Sequence, residues 1–227
     1  MATLVSGKGV SSLTSVGAGA ENELALIRMG LLGVSDLIST LSLMGYCFTS
    51  TGTAGKTDGE TGEIAAASQA IDPTEPTFMF DVPSGTTVIP LEVGIDVEAA
   101  TYDGVFAIMY DSVNRYNTGG VAAVAARNLR TDSPRASTVI NLYSGDTALT
   151  ADAATAERLI WIVSHGFADV STGPLLNTLW SVRQNATLPI LVGPASFLVY
   201  CHHVTAAAEI GVCCTWAELP SDLVTAV

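Results

Sequence analysis

The stretch "VIPLEVGIDVE", residues 88–98, sets Ile89, Leu91, Val93, Ile95 and Val97 on the odd positions and Pro90, Glu92, Gly94, Asp96 and Glu98 on the even ones. Period two is the mark of a strand with one face buried. Reversing the parity would expose five large apolar groups, each contributing roughly 1.5–3 kcal/mol when buried. The odd face is therefore predicted to lie in the core and Glu92, Asp96 and Glu98 to point away from it. Three carboxylates at i, i+4 and i+6 are too spread for one cation, since calcium takes its oxygens at ~2.3–2.6 Å. A solvated face or a subunit contact is the expectation.

Neighbouring segments repeat the strand rhythm. "TFMFDV" leads into this stretch through the turn "PSG", and after a short "ATYDG" break comes "VFAIMYDSV". "GVFAIMY" is apolar on both parities, which predicts a strand covered on both sides. Residues 114–157 are loop-rich ("NTGG", "RTDSPRAS", "YSGDTALTADAATAE") around the shorter candidates "GVAAVAARNL" and "STVINLY", and "LIWIVSHGFADV" follows as another strand. The chain closes with "LPILVGPASFLVYCHHV", the connector "TAAAE" and "IGVCCTWAELP". Ile210, Val212, Cys214 and Trp216 share one parity there, so a C-terminal hairpin with Trp216 buried is predicted.

Upstream the pattern is mixed. Leu24, Ile27, Leu31, Val34, Ile38 and Leu41 fit helical spacing, whereas "LISTLSLMGYCF" alternates in part, and Gly30 and Gly33 would each cost a helix ~1 kcal/mol. A strand is expected over residues 37–48, with 24–34 left open. Residues 1–22 have the small, polar bias of a flexible arm. Residues 49–63 and 72–76 read as loops. About eight strand-like runs make the expected fold all-β: a two-sheet antiparallel sandwich, jelly-roll-like, occupying residues 23–227 as one domain behind an extended N-terminal arm over 1–22.

Of the 227 residues 48% are hydrophobic and 14% charged, against the ~25% charged share usual for soluble domains. Too few charges are present to clothe a solitary monomer, which points to surface covered by other copies. The net charge is −13, with 9 Lys and Arg in all. No cluster exists to neutralise phosphates, so direct nucleic-acid binding is not expected. "MATLVSGKGV" lacks a secretory pattern, and residues 24–48 are broken by Arg28, Asp36 and glycines, so neither a signal nor membrane insertion is expected. Cys47, Cys201, Cys213 and Cys214 read as small buried hydrophobes of a reducing compartment, with the adjacent pair on opposite strand faces.

"FDVPSGTTVIPLEVGIDVE", with "PILVGPASFLVY" and "TWAELP", resembles the jelly-roll structural proteins of viruses and phages. There a Pro-Gly turn leads into a long strand and the chain ends on an apolar strand pair. The resemblance spans residues 76–220 and rests on strand rhythm and turn chemistry. It implies a capsid shell or capsid-associated subunit that acts by self-assembly in a virion built in the host cytoplasm, with copies of itself and other virion proteins as partners. One departure concerns the genome: arms that bind single-stranded genomes are often rich in Arg and Lys, and residues 1–22 carry only Lys8.

Candidate chemistry is sparse. Asp58 and Glu60 in "KTDGETGE" resemble a calcium loop but lack its ligand spacing. His202 and His203 are adjacent and would face opposite ways. His165 has a serine beside it but no G-x-S-x-G elbow, and no phosphate-binding Gly motif or C-x-x-C occurs. No catalytic, metal or cofactor site is expected, and an enzyme is the least favoured class. The alternative function is a carbohydrate- or receptor-binding sandwich of a phage or cell surface, using aromatics such as Tyr102, Tyr116, Tyr143 or Trp180 on loops. For the assembly reading, Leu24, Ile27, Leu31 and Leu32 behind the arm are the expected contact residues.

Overall fold

A computed structural model describes residues 37–52, 57–58, 60–61, 71–98, 102–123, 125–145, 149–167, 175–185, 188–203 and 209–223. The chain divides into two compact units, Met1–Thr40 and Leu41–Val227. The arm, its expected boundary at residue 22 and Leu24, Ile27, Leu31 and Leu32 lie outside the described residues.

In chain order the elements are α1 Leu37–Leu43, β1 Cys47–Thr51, β2 Thr57–Asp58, β3 Glu60–Thr61, β4 Phe78–Val82, β5 Thr86–Glu98, β6 Tyr102–Asp111, β7 Tyr116–Thr118, β8 Val121–Ala122 and β9 Arg127–Asn128. There follow β10 Ile140–Ser144, β11 Thr150–Ala151, β12 Arg158–Phe167, β13 Leu175–Ser181, α2 Val182–Asn185, β14 Leu191–Val192, β15 Ala195–His203, β16 Glu209–Pro220 and a 3-10 turn at Ser221–Leu223. One sheet runs β13-β5-β16-β1-β9 and the other β12-β6-β15-β4-β10-β8. No helix among the described residues is long and apolar enough to cross a membrane.

Eight strands form the frame. In chain order β1, β4, β5, β6 pair antiparallel with β16, β15, β13, β12 respectively, first with last. The two four-stranded layers are thus β1-β16-β5-β13 and β4-β15-β6-β12, the jelly-roll-like sandwich that the strand count predicted. Between the layers Phe48 and Trp216 of one sheet meet Phe80 and Phe197 of the other. Phe80 lies 5.0 Å from the Trp216 ring and 5.1 Å from that of Phe197.

The C-terminal hairpin is corrected. β15 lies between β4 and β6, whereas β16 lies between β5 and β1 in the opposite sheet. Periodicity identifies a strand but not its partner, and here the last connection crosses the sandwich. The Pro83–Gly85 turn does the same, carrying the chain from β4 in one layer to β5 in the other. Ile210, Val212, Cys214 and Trp216 are buried together as predicted.

A second correction concerns residues 37–48, expected as strand. Leu37–Leu43 is helical and the strand starts only at Cys47. Tyr46 N–H donates to the Leu41 carbonyl at 2.9 Å and Gly45 N–H to that of Ser42 at 3.0 Å. Gly45 has φ +72°. This is the Schellman stop of a helix, which needs a residue that enters the left-handed region freely. The helical spacing of Ile38 and Leu41 outweighed the Ser/Thr content.

Within β5 the single alternation breaks. Trp216 pairs with Pro90 and Thr215 with Glu92, so Leu91 is an extra residue of β5. This bulge accommodates Pro90, which has no N–H to give to a central strand. It also flips parity: Val88, Val93 and Ile95 share the inter-sheet core. Ile89, one residue on from Val88 and so on the other side of the strand, is buried too, as is Leu91 at the bulge. Glu92 is exposed and Asp96 half-buried, while the side chains of Val97 and Glu98 lie outside the described set.

Candidate functional site

Parts of the long connection between β6 and β12 fold over the outer face of the β4-β15-β6 layer, while β10 extends that layer beside β4 and β9 pairs with β1 of the other sheet. A small second core shows this: Met79, Ala107, Leu198 and Tyr200 from the sheet pack with Leu149 and Ala151 from the connection. "GVFAIMY" is therefore covered on both sides, with Phe106 and Ile108 in the main core and Ala107 in the second.

Beside that second core lies a buried ionic cluster. Arg115 is fully buried at the start of the connection. Its Nε donates to the Asp152 carbonyl at 2.6 Å, Nη2 to the Pro73 carbonyl at 2.6 Å, and Nη1 to Asp111 Oδ2 at 3.3 Å and Glu157 Oε1 at 3.0 Å. Its backbone N–H reaches Asp81 Oδ1 at 3.2 Å and Ser196 Oγ at 2.8 Å. Asp81 also accepts from the Ser196 hydroxyl and, at 2.8 Å, from Asn141 Nδ2. Asp111 accepts the backbone N–H groups of Ser112, Thr155 and Ala156 at 2.7–3.0 Å. The Tyr200 hydroxyl is 2.9 Å from both the Pro73 carbonyl and Glu157 Oε1. Burial, and then the negative charge of Glu157, pushes the Tyr200 phenol far above its ordinary value.

Buried charges persist only when paired and hydrogen-bonded. Here every guanidinium nitrogen and every oxygen of Asp81 and Asp111 is engaged, so the cluster fixes both ends of the connection to the sheet. With its donors and acceptors spent internally, it has the chemistry of a clasp. A second, smaller clasp sits at the end of β16. Buried Glu218 accepts Trp216 Nε1–H at 2.7 Å, Thr138 N–H at 2.7 Å and the hydroxyls of Ser137 and Thr138.

Sequence reasoning did not single out either clasp. A signal existed for the first: Asp81 in "FMFDV" and Asp111 in "AIMYD" are lone acids in apolar strand runs, and such an acid must find a donor. Arg115, in the loop "NRYNTGG", carried no signal of its own.

Of the residues proposed to carry chemistry, His202 is buried with Nε2 3.1 Å from the Glu75 carbonyl. The side chains of Asp58, Glu60, His165 and His203 lie outside the described set. Among the described residues no three His, Cys, Asp or Glu side chains converge to hold a metal ion. Cys47, Cys201 and Cys214 are buried and Cys213 is exposed, all as free thiols. Burial pushes the Cys201 thiol up to about 12.

The loop-aromatic reading is corrected at Trp180. It belongs to β13, a strand not anticipated in "LLNTLWS", and is fully buried in the main core. Tyr116 and Tyr143 stack on one another with centroids 4.6 Å apart, each half-buried. Tyr102 opens β6, with its side chain outside the described set.

No family model, curated protein or solved structure matches the chain.

Proposed function

We propose that this chain is a virion structural protein, a capsid shell or capsid-associated subunit, that acts by self-association. The observation that carries the reading is the surface of the sandwich. Leu43, Met44, Val121, Leu129, Ile140, Leu159, Ile162, Leu188, Ile190 and Val192 are all exposed, on a chain with only 14% charged residues. Single exposed apolar residues are ordinary. Ten among the described residues, on a chain with so few charges, are what an interface needs. The buried ionic cluster supports a scaffold role, since its polar groups hold the chain's own loops.

Copies of the same chain and other virion proteins are the partners in this reading, and the hydrophobic segment holding Leu24, Ile27, Leu31 and Leu32 contributes contacts. The glycan-binding alternative loses Trp180 to the core and keeps Tyr116 and Tyr143 with one ring face each already occupied by the other. Light scattering coupled to size exclusion, followed by electron microscopy of the purified chain, tests the proposal. Discrete oligomers or shells are expected. A monodisperse monomer with a signal on a glycan array would favour the alternative.

A further inference from the structure

β12 ends its sheet: one side pairs with β6 and the other has no partner strand among the described residues. Its residues are unusual for an edge. Natural edges are blunted by lysines, inward-pointing charges or proline, whereas "RLIWIVSHGF" holds Arg158 as its only formal charge, no acid and no proline. On a chain of net charge −13, that makes the edge a seam along which two copies can meet without carboxylates facing each other.

The register shows where the apolar side chains point. Leu159 pairs with Met109 and Trp161 with Ile108, so Ile160 is an extra residue of β12. The bulge places Leu159 on the same side as Ile162, which pairs with Ala107, and Ala107 packs in the outer core. Leu159 and Ile162 are therefore neighbours on the outer face, 53% and 48% exposed. Trp161 and Val163 turn inward and pack on the main core. From Trp161 to Phe167 the pairing with β6 is regular, so the backbone beyond the bulge is straight enough to template another strand.

We infer that β12 is the site at which a second copy of this chain adds, antiparallel, as β12 against β12 about a two-fold axis. The axis runs perpendicular to the sheet, so the pairing keeps outer face with outer face. Leu159 and Ile162 of each copy then lie on the same outer face of one continuous sheet that runs through both molecules. The inference rests on the self-association reading and names its first contact.

The test compares Leu159→Lys/Ile162→Lys with Thr131→Lys, an exposed position away from the seam, and with the unaltered full chain, by sedimentation velocity across a concentration series. Far-UV circular dichroism and melting are followed in parallel. Both variants change exposed positions and are expected to keep the native spectrum and melting temperature. The seam variant is expected to weaken dimerisation by more than about tenfold, while Thr131→Lys leaves it unchanged. Unaltered dimerisation of a folded seam variant overturns the inference and leaves self-association standing. Equal loss in both variants also overturns it, because the effect would then be general surface charge. An unaltered chain that stays monomeric overturns the inference and the assembly reading together.

Discussion

Two buried tryptophans on the same core make different demands. Trp216 Nε1 donates to Glu218 at 2.7 Å, whereas Trp180 Nε1 is buried with no acceptor among the described residues. A buried donor left unmatched costs about 1–3 kcal/mol. Trp180→Phe removes that cost while losing some volume, whereas Trp216→Phe strips a donor from a buried carboxylate. Trp216→Phe is therefore expected to destabilise more than Trp180→Phe, and Trp216→Ala to cost about 3–5 kcal/mol. Urea unfolding of the three variants checks the order. Arg115→Met should be among the most damaging single changes, roughly 3–5 kcal/mol, because it leaves the buried Asp111 and the half-buried Glu157 without their cation. A melting curve like that of the unaltered chain would contradict the clasp.

Titration at high pH reads the same interior. The Cys201 thiol is raised from its usual 9.0 to about 12 by burial. Between those values the folded chain keeps a proton that the unfolded chain has lost, so stability falls as pH rises from about 9 towards 12. Tyr200, also raised by burial, pulls in the same direction. Cys201→Ala is expected to flatten the decline, measured as urea midpoints from pH 8 to 11. At this scale the sequence disclosed the apolar core well. It disclosed the polar interior poorly, because a buried ion pair between Arg115 and Glu157 is 42 residues apart in the chain and leaves no local pattern.

For the elements, strand positions were readable and strand partners were not. β4, β5, β6, β10, β12, β15 and β16 each coincide with an apolar or alternating run, because side-chain direction repeats every two residues. Which strands share a layer depends on connections that cross the sandwich, and nothing in "IGVCCTWAELP" distinguishes β5 as its neighbour from β15. β13 escaped because Asn177 and Thr178 interrupt its apolar run. The helix α1 escaped for a different reason: its seven residues are rich in Ser and Thr, and its stop at Gly45 shows only in the backbone. Gly45→Ala would force a β-carbon into the left-handed region and against the Ser133 hydroxyl. A loss of about 1–2 kcal/mol is expected, whereas Gly85→Ala, whose β-carbon would meet open space, should carry only the backbone part of that cost. Thermal melts of the two variants separate the contributions.

Across the whole molecule, the jelly-roll-like frame follows from eight strands pairing first with last, and the outer layer is sealed by a connection clasped through Arg115. The proposed self-association rests on the exposed apolar residues of the described set and on a composition with only 14% charged residues. The proposed seam at β12 needed the register, because only the bulge at Ile160 brings Leu159 and Ile162 to one face. Under the proposed self-association, deleting residues 1–22 is expected to leave a folded sandwich that assembles poorly, read by sedimentation velocity. Association indistinguishable from that of the full chain would show that residues 1–22 take no part in it.

Self-association itself is tested most directly by the mass of the full chain in solution, measured by light scattering over a range of concentrations up to the millimolar. Self-association predicts a weight-average mass above 23.4 kDa that rises with concentration towards larger closed assemblies. A mass fixed at that of one chain throughout would contradict it.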